Sequence, residues 1–436
     1  MIDTIVAIAT PPGKGGVGIV RVSGRDSLKI SKLFFIPFPE KLEPNKMYFG
    51  KFKGKVEDTG YLVYFKSPKS YTGEDTIEFH LHGSPYILYS VVSDIVDSGL
   101  ARLAEPGEFT KRALLNGKIN LVEAEAINTI ISAENQYQAK VLSNLSGKLS
   151  NFILDLKNKL TDSIAFLEAA IEYPEEEETV SAIEKAMPIV NDSLKALENV
   201  LSVYEKTRFL FKGARVVIAG KPNVGKSSLL NAIAGFERAI VTEIPGTTTD
   251  SIEVDIEFKG MKFSFVDTAG IRRGEGKVES LGIERTFKEL EDADLILYMF
   301  DPFQQKFEIE DDLLKFNYKI IKLLNKTDLK DISDFEGIRI SAKNKEGIDF
   351  LLKKVYDYFS GIDFSENFIF SERQYSSLSE AKKILLRFLE FDESSIYPEV
   401  GAAILNEAVE VLEAVIGEIT TDNILDSVFG NFCLGK

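Results

Sequence analysis

The spacing of apolar residues changes character three times along this chain. Up to residue 118 they come as short runs, TIVAIAT, GIVRVSG, YLVYFKSP and DTIEFHLHG, divided by glycine and proline. Short runs rich in β-branched and aromatic residues, bounded by turn formers, predict strands. Among them, SPYILYSVVSDIVDSGL carries apolar residues at three- and four-residue intervals and stops at Gly99, which predicts a helix with a glycine cap. Residues 1–118 therefore read as a mixed α/β domain.

From Asn120 the helical period takes over. The stretch LVEAEAINTIISAENQYQAKVLSNLSGKLSNFILDLKNKLTDSIAFLEAAIEY holds one glycine and no proline before Pro174, and a second helical run fills about 180–208. Turn formers and β-branched runs return from Ala214 to about Gly361. Then SSLSEAKKILLRFLEF and VGAAILNEAVEVLEAVIGEIT are helical again. Neither helical part can bury its apolar stripe alone. The economical solution is one helical domain in two pieces, 119–208 and 363–436, with 209–362 inserted between them; close termini of an insert are common. The acidic YPEEEET (173–179) is expected to be a solvated turn between helices.

Composition narrows the class. A length of 436 residues allows roughly two to three domains, and 44% hydrophobic with 28% charged residues is ordinary for soluble protein. A net charge of −16 excludes holding nucleic acid by bulk charge, so an RNA role needs a local basic patch or a basic partner. The start Met1-Ile2-Asp3 is no leader, and no apolar run approaches the ~20 residues that cross a bilayer, so a cytoplasmic protein is expected. A single cysteine excludes an intrachain disulfide. That residue, Cys433, sits in the frame of a prenylation box, but Gly435 and Lys436 fit neither preference of the box. Packing at a helix end, or a functional tail, are the readings left.

The motif with the clearest chemistry is RVVIAGKPNVGKSSLLNAI, a strand, a glycine turn and a helix. Gly220 to Ser227 spell a phosphate loop. Its backbone N–H groups close around a β-phosphate at the positive end of the helix. Lys226 reaches the β- and γ-phosphates and Ser227 offers a hydroxyl to Mg2+. Downstream, GTTTD offers Thr247 and Thr248, FSFVDTAG ends a strand at Asp267 with Gly270 beyond it, KIIKLLNKTD ends in Asn325-Lys326-Thr327-Asp328, and IRISAK gives Ser341-Ala342-Lys343. Each motif sits at a strand's carboxyl end, where open α/β sheets bind ligands. Asp328 suits guanine, whose N1–H and amine it accepts; adenine would leave that carboxylate unpaired. Ile271 stands where many GTPases place a water-orienting Gln, so another group is needed: Glu275, Glu279 and Glu284 are candidates. Arg272 and Arg273 are candidates for a finger, and a cation near Asn223 is the alternative.

Two decoys are set aside. GKGGVG (13–18) fits the dinucleotide fingerprint but is followed by a strand, IVRVSG, where that fold needs a helix. His80 and His82, with one distant Cys, make a poor zinc set. The loops YTGEDTIEFHLHGS and AEPGEFTKRALLNGKINLVEAEA place Glu74, Asp75, Glu78, Glu108, Lys111, Arg112 and Lys118 beside tight turns. That pattern fits a small-ligand site and fits surface loops equally.

Together these stretches resemble the MnmE (TrmE) family of tRNA-modification GTPases. The likeness runs through DTIVAIATPPGKGGVGIVRVSG, YTGEDTIEFHLHG, AEPGEFTKRALLNGKINLVEAEAI, the nucleotide motifs and the FCLGK ending. It implies an N-terminal tetrahydrofolate-binding-like domain that also forms a homodimer, a discontinuous helical domain, and an inserted Ras-like P-loop GTPase domain. It implies that Arg21, Glu78 and Lys118, joined by Lys436, contact a 5-formyl or 5,10-methylene tetrahydrofolate. Asn223, Thr242, Ile244 and Thr247 would bind K+, which takes the finger's part; Ser227 and Thr248 would hold Mg2+; Glu279 would orient water. The GTP-contacting set then comprises Asn223, Val224, Gly225, Lys226, Ser227 and Ser228, and in the following loop Thr242, Glu243, Ile244, Pro245, Gly246, Thr247 and Thr248. It continues with Asp267, Thr268, Ala269 and Gly270, and closes with Asn325 to Asp328 and Ser341 to Lys343. The resemblance also implies an FAD-binding partner, MnmG (GidA), in a heterotetramer. With it the family installs a (carboxymethyl)aminomethyl group on C5 of the wobble uridine of certain tRNAs, Cys433 being a candidate in that chemistry.

Two departures stand out: Thr249 replaces the family's usual Arg, and Ser84 replaces a usual Gly. A regulatory GTPase switch in ribosome or RNA maturation is the competing reading, though such switches usually carry an RNA-binding appendage with a basic face, whereas this chain carries a turn-rich α/β module, is strongly acidic and has the cysteine tail. A folate-dependent transferase acting alone lacks an evident nucleophile or flavin site.

Overall fold

The computed structural model describes residues 3–131, 147–172, 176–235, 253–267, 289–304, 306–309, 319–361, 368–390, 397–419, 422–430, 432 and 435. They fall into two compact units, one drawn from Met1–Ile131, Ser146–Lys195 and Ser376–Lys436, the other built around Ala196–Tyr375.

The first unit opens with a mixed sheet. Its strands are β1 (Ile5–Ile8), β2 (Gly15–Ser23), β3 (Phe35–Ile36), β4 (Met47–Lys53), β5 (Glu57–Phe65), β6 (Thr76–Gly83) and β7 (Arg102–Leu103), in the order β3-β4-β5-β6-β2-β1-β7. Only the β1–β7 pair is parallel. Helices Ser27–Phe34 and Pro85–Asp97 contribute to a core with Val20, Val22, Phe52 and Phe79; the Phe52 and Phe79 rings meet edge to face at 5.3 Å. The GKGGVG stretch does lead into β2. A Cβ on Gly18 would sit 2.4 Å from the Leu88 side chain, so glycine there admits the helix Pro85–Asp97. Ser84 precedes that helix with φ −92, a conformation open to any residue, so the absence of glycine costs nothing locally.

Ile5 and Ala7 of β1 pack with Ala104 and with Phe109 of the helix Glu108–Leu115. Beyond it lie the helices Leu121–Ile131, Lys148–Glu172 and Glu176–Thr207, the last belonging to the first unit only up to Lys195. The last begins inside the acidic run expected to be a turn, because acidic residues also favour a helix's first turn. Helix Lys148–Glu172 packs along Pro398–Ile416, burying Ile153, Leu156 and Leu160 on one side and Leu405, Ala408 and Leu412 on the other. Lys157 ties the pair to Glu413 at 2.7 Å and to Glu418. The two sequence-distant helical stretches thus complete each other. Helix Asp422–Phe429 ends before Gly430, and Leu425, Phe429 and Phe432 cluster with Ala124.

The second unit is a doubly wound α/β layer. Strands β8 (Ala214–Gly220), β9 (Glu253–Phe258), β10 (Met261–Asp267), β11 (Leu295–Phe300), β12 (Ile320–Leu324) and β13 (Ile338–Arg339) run in the order β13-β12-β11-β8-β10-β9. All pairs are parallel except the β9–β10 hairpin. Its two-residue turn, Lys259 (φ 52) and Gly260 (φ 75), has the positive φ values a right-twisted hairpin favours. Every residue of β11 is buried, which fits its central place. The chain leaves β8 into the helix Lys226–Ala234 at the point where β8 lies between β11 and β10, the usual ligand crevice of such sheets.

Candidate functional site

The phosphate loop is shaped by close backbone approach. Gly220 has φ +140, and a Cβ there would lie 2.5 Å from the Met299 carbonyl oxygen. Gly225 has φ +99, and its Cβ would meet Asn325 Nδ2 at 2.3 Å. Both places demand glycine. Lys226 opens the helix, and its Nζ donates to the carbonyls of Gly220 (2.8 Å) and Lys221 (3.1 Å), which sets the ammonium across the loop. The first N–H groups of that helix have no acceptor within it, so the loop joins a positive charge to a positive helix end. Beside them Ser227 Oγ donates to Asp267 Oδ2 at 2.6 Å; Asp267 is buried at the end of β10. A hydroxyl and a carboxylate side by side are the oxygen donors that Mg2+ takes, so these residues fit the ion.

The other end of the site is built by β12 and β13. Asn325 is buried; its Nδ2 donates to the Val224 carbonyl at 2.8 Å and its Oδ1 accepts the Ala342 N–H at 3.0 Å. One side chain therefore fixes the phosphate loop and the Ser341–Lys343 turn together. Lys326, at φ 60, donates to the Asn223 carbonyl at 2.7 Å and to Asp301 Oδ2 at 2.6 Å. Ser341 Oγ donates to Asp328 Oδ1 at 2.7 Å, which orients the carboxylate expected at guanine. The structure so brings Asn223 to Ser228, Asp267, Asn325 to Asp328 and Ser341 to Ala342 to one edge of the sheet. Asp301 was missed by sequence reasoning; its only signal was an acid at the end of a fully apolar strand. Thr242 to Thr249, Thr268 to Arg273, Glu275, Glu279, Glu284, Cys433 and Lys436 lie outside the described residues.

In the first unit Arg21 of β2 stands opposite Glu78 of β6, and the two join at 2.8 Å. Glu78's other oxygen meets His80 Nε2 at 2.9 Å. Burial works to raise the Glu78 carboxyl, but His80 and Arg21 outweigh it and hold it below its ordinary value. The guanidinium also lies 5.6 Å from the Tyr71 ring centre and 5.7 Å from that of Phe109, an aromatic pair that sequence reading missed. Its Nη1 donates to the Gly435 carbonyl at 3.4 Å, so the chain's tail reaches the same corner. Gly435 is buried with φ +92, and a Cβ there would fall 2.0 Å from the Ile8 carbonyl oxygen. The stem of Lys118 lies against Gly73, two residues from Tyr71. Glu74, Glu108 and Arg112, which the sequence offered as ligand candidates, are spent on one another. Arg112 reaches Glu74 at 3.2 Å and Glu108 at 2.9 Å. Asp75 accepts from the Tyr64 hydroxyl at 2.7 Å, and Lys111 faces Asp426 at 3.4 Å. Among the described residues no group of three or more His, Cys, Asp or Glu is placed to hold a metal, and no helix is long and apolar enough to cross a membrane.

Comparison with known proteins adds the family. The N-terminus of the GTP-binding protein TrmE matches residues 4–118, and the MnmE helical domain matches 121–433. The tRNA modification GTPase MnmE of Aquifex aeolicus (strain VF5) is 41% identical over 456 residues, covering 100% of both chains. That of Syntrophotalea carbinolica is 39% identical over 455 residues, covering 100% of this chain and 99% of its own. The solved G domain of the T. maritima FeoB iron transporter is 26% identical, covering 33% of this chain and 98% of that one, with a TM-score of 0.27, too low to bear on the fold. Matched from end to end by such relatives, the chain belongs to the MnmE (TrmE) family of tRNA-modification GTPases.

Proposed function

We propose that this chain hydrolyses GTP to GDP and phosphate as a step in modifying C5 of the wobble uridine of tRNA. The observation that supports it most is the Asn325 bridge. It joins the phosphate loop at Val224 to the Ser341–Lys343 turn, and so puts a phosphate cradle and the carboxylate of Asp328 in one frame. Such a frame suits guanine, because adenine leaves Asp328 without a donor. Ser227 and Thr248 would hold Mg2+, with Asp267 behind Ser227; the ion neutralises phosphate charge. Asn223, Thr242, Ile244 and Thr247 would hold K+ in place of an arginine finger, and Glu279 would orient the water. Lys226 keeps its ammonium at the loop mouth, where charge develops on the transferred phosphoryl group.

The corner formed by Arg21, Glu78, Lys118 and the tail supports a tetrahydrofolate site. A planar cation between two rings, backed by a carboxylate, suits a flat polar ring system with hydrogen-bonding edges. Lys436 would join it. Within this reading the protein is a cytoplasmic homodimer that works with tRNA and the FAD-binding MnmG protein. The chain then divides into 1–118, 119–208 with 363–436, and 209–362. Family membership favours this reading over a ribosome-maturation switch. Phosphate release from GTP and from ATP by the purified protein tests the first step. Release from GTP alone is expected; equal release from both would refute it.

A further inference from the structure

Neighbouring side chains grip neighbouring carbonyls at the base end of the site. Asn325 holds the Val224 carbonyl and Lys326 the Asn223 carbonyl. Asn325 is braced by the Ala342 N–H. Lys326 is braced by Asp301, the residue directly after β11, at 2.6 Å. The other Asp301 oxygen accepts the Phe303 N–H at 2.9 Å, so the carboxylate cannot swing away without losing a turn contact. The side chains of Asp301 and Lys326 are 16% and 31% exposed, shielded enough for their attraction to exceed that of an open surface pair. Burial alone would raise the Asp301 carboxyl; Lys326 and the Phe303 N–H hold it below its ordinary value.

We propose that Asp301 is a positioning residue for nucleotide binding: it fixes Lys326 on the Asn223 carbonyl, and so keeps the guanine turn and the phosphate loop at one spacing. This rests on the GTP reading. Asp301 acts at the base end, through Lys326 on the Asn223 main-chain carbonyl and not through a side chain expected at the γ-phosphate. It should therefore affect GDP and GTP alike and leave turnover at saturation unchanged.

The test is stopped-flow dissociation of fluorescent GDP and of a non-hydrolysable fluorescent GTP analogue. Asp301→Asn keeps an acceptor for Phe303 and removes the charge opposite Lys326. Both nucleotides should leave about tenfold faster, with kcat within about twofold of wild type. In a Lys326→Met background the same change should add nothing, because the group through which Asp301 acts is gone; additive losses overturn the proposal. Dissociation within about twofold of wild type overturns it too. Nucleotide-free Asp301→Asn should melt within about 2 °C of wild type. A melting point that falls in step with affinity in both Asp301→Asn and Asp301→Ser shows a turn cap only, and overturns it. Wild-type protein that fails to prefer GTP to ATP refutes the GTP reading instead.

Discussion

Asp328 is the residue expected to carry base choice. Its Oδ1 accepts the Ser341 hydroxyl, and in the proposed reading the carboxylate would receive two donors from guanine. Asp328→Asn turns an acceptor into a donor. GTP affinity should fall on the order of a hundredfold, the scale of losing charge-assisted hydrogen bonds, while xanthosine triphosphate binds better. A competition assay in which nucleotide preference does not change would remove Asp328 from base recognition. Glu78 gives a second residue-level prediction, on pH. Its carboxyl is lowered in the fold, so its stabilising contribution is present above the ordinary value of 4.5 and is lost as pH falls through the lowered one. Melting wild type and Glu78→Gln across pH should show a constant gap well above 4.5 that closes only in acid. A gap that widens as pH falls would reverse the assignment.

At the scale of elements, the strand-turn-helix of the phosphate loop depends on a glycine that cannot be replaced cheaply. Gly225→Ala forces a Cβ toward Asn325 Nδ2 and strains φ +99. Stability should fall by about 1–3 kcal/mol and nucleotide binding should be lost with the Asn325–Val224 bridge. Normal GTP titration by this variant would show that the bridge is dispensable. The tail is the other informative element. Gly435→Ala would clash with the Ile8 carbonyl and lift the tail from Arg21. Folate binding by calorimetry and tRNA modification should both fail, with GTP hydrolysis within about twofold of wild type, since Gly435 and the nucleotide motifs belong to different compact units. Loss of GTP hydrolysis in this variant would contradict that separation. These elements also mark what was legible beforehand. Periodicity announced the strands and helices because local hydrophobic spacing is a local property, and the nucleotide motifs because their backbone needs particular residues in order. The Arg21–Glu78 pair spans 57 residues and the Arg21–Gly435 contact 414, so only folding reveals them. Asp301 was hidden for the same reason: its partner Lys326 lies just beyond the end of the neighbouring strand β12. Conversely, Glu74, Glu108 and Arg112 read as open candidates because sequence does not show charges neutralising one another.

At the scale of the whole molecule, a GTPase would be joined to a tRNA-modifying centre. Hydrolysis in K+ should exceed that in Na+ at equal ionic strength, because Ile271 leaves no water-orienting Gln and Asn223 sits in the loop expected to hold the cation; equal rates would remove K+. The central claim is that GTP hydrolysis by this chain drives wobble-uridine modification. Its most direct test is mass spectrometry of tRNA nucleosides after reaction with the purified protein, the flavoprotein partner and a one-carbon donor. Wild type should be compared with Ser227→Ala, which removes the hydroxyl beside Asp267. The prediction is that this variant loses GTP hydrolysis by at least about a hundredfold and forms no modified uridine. Full modification by a variant that no longer hydrolyses GTP would contradict the account.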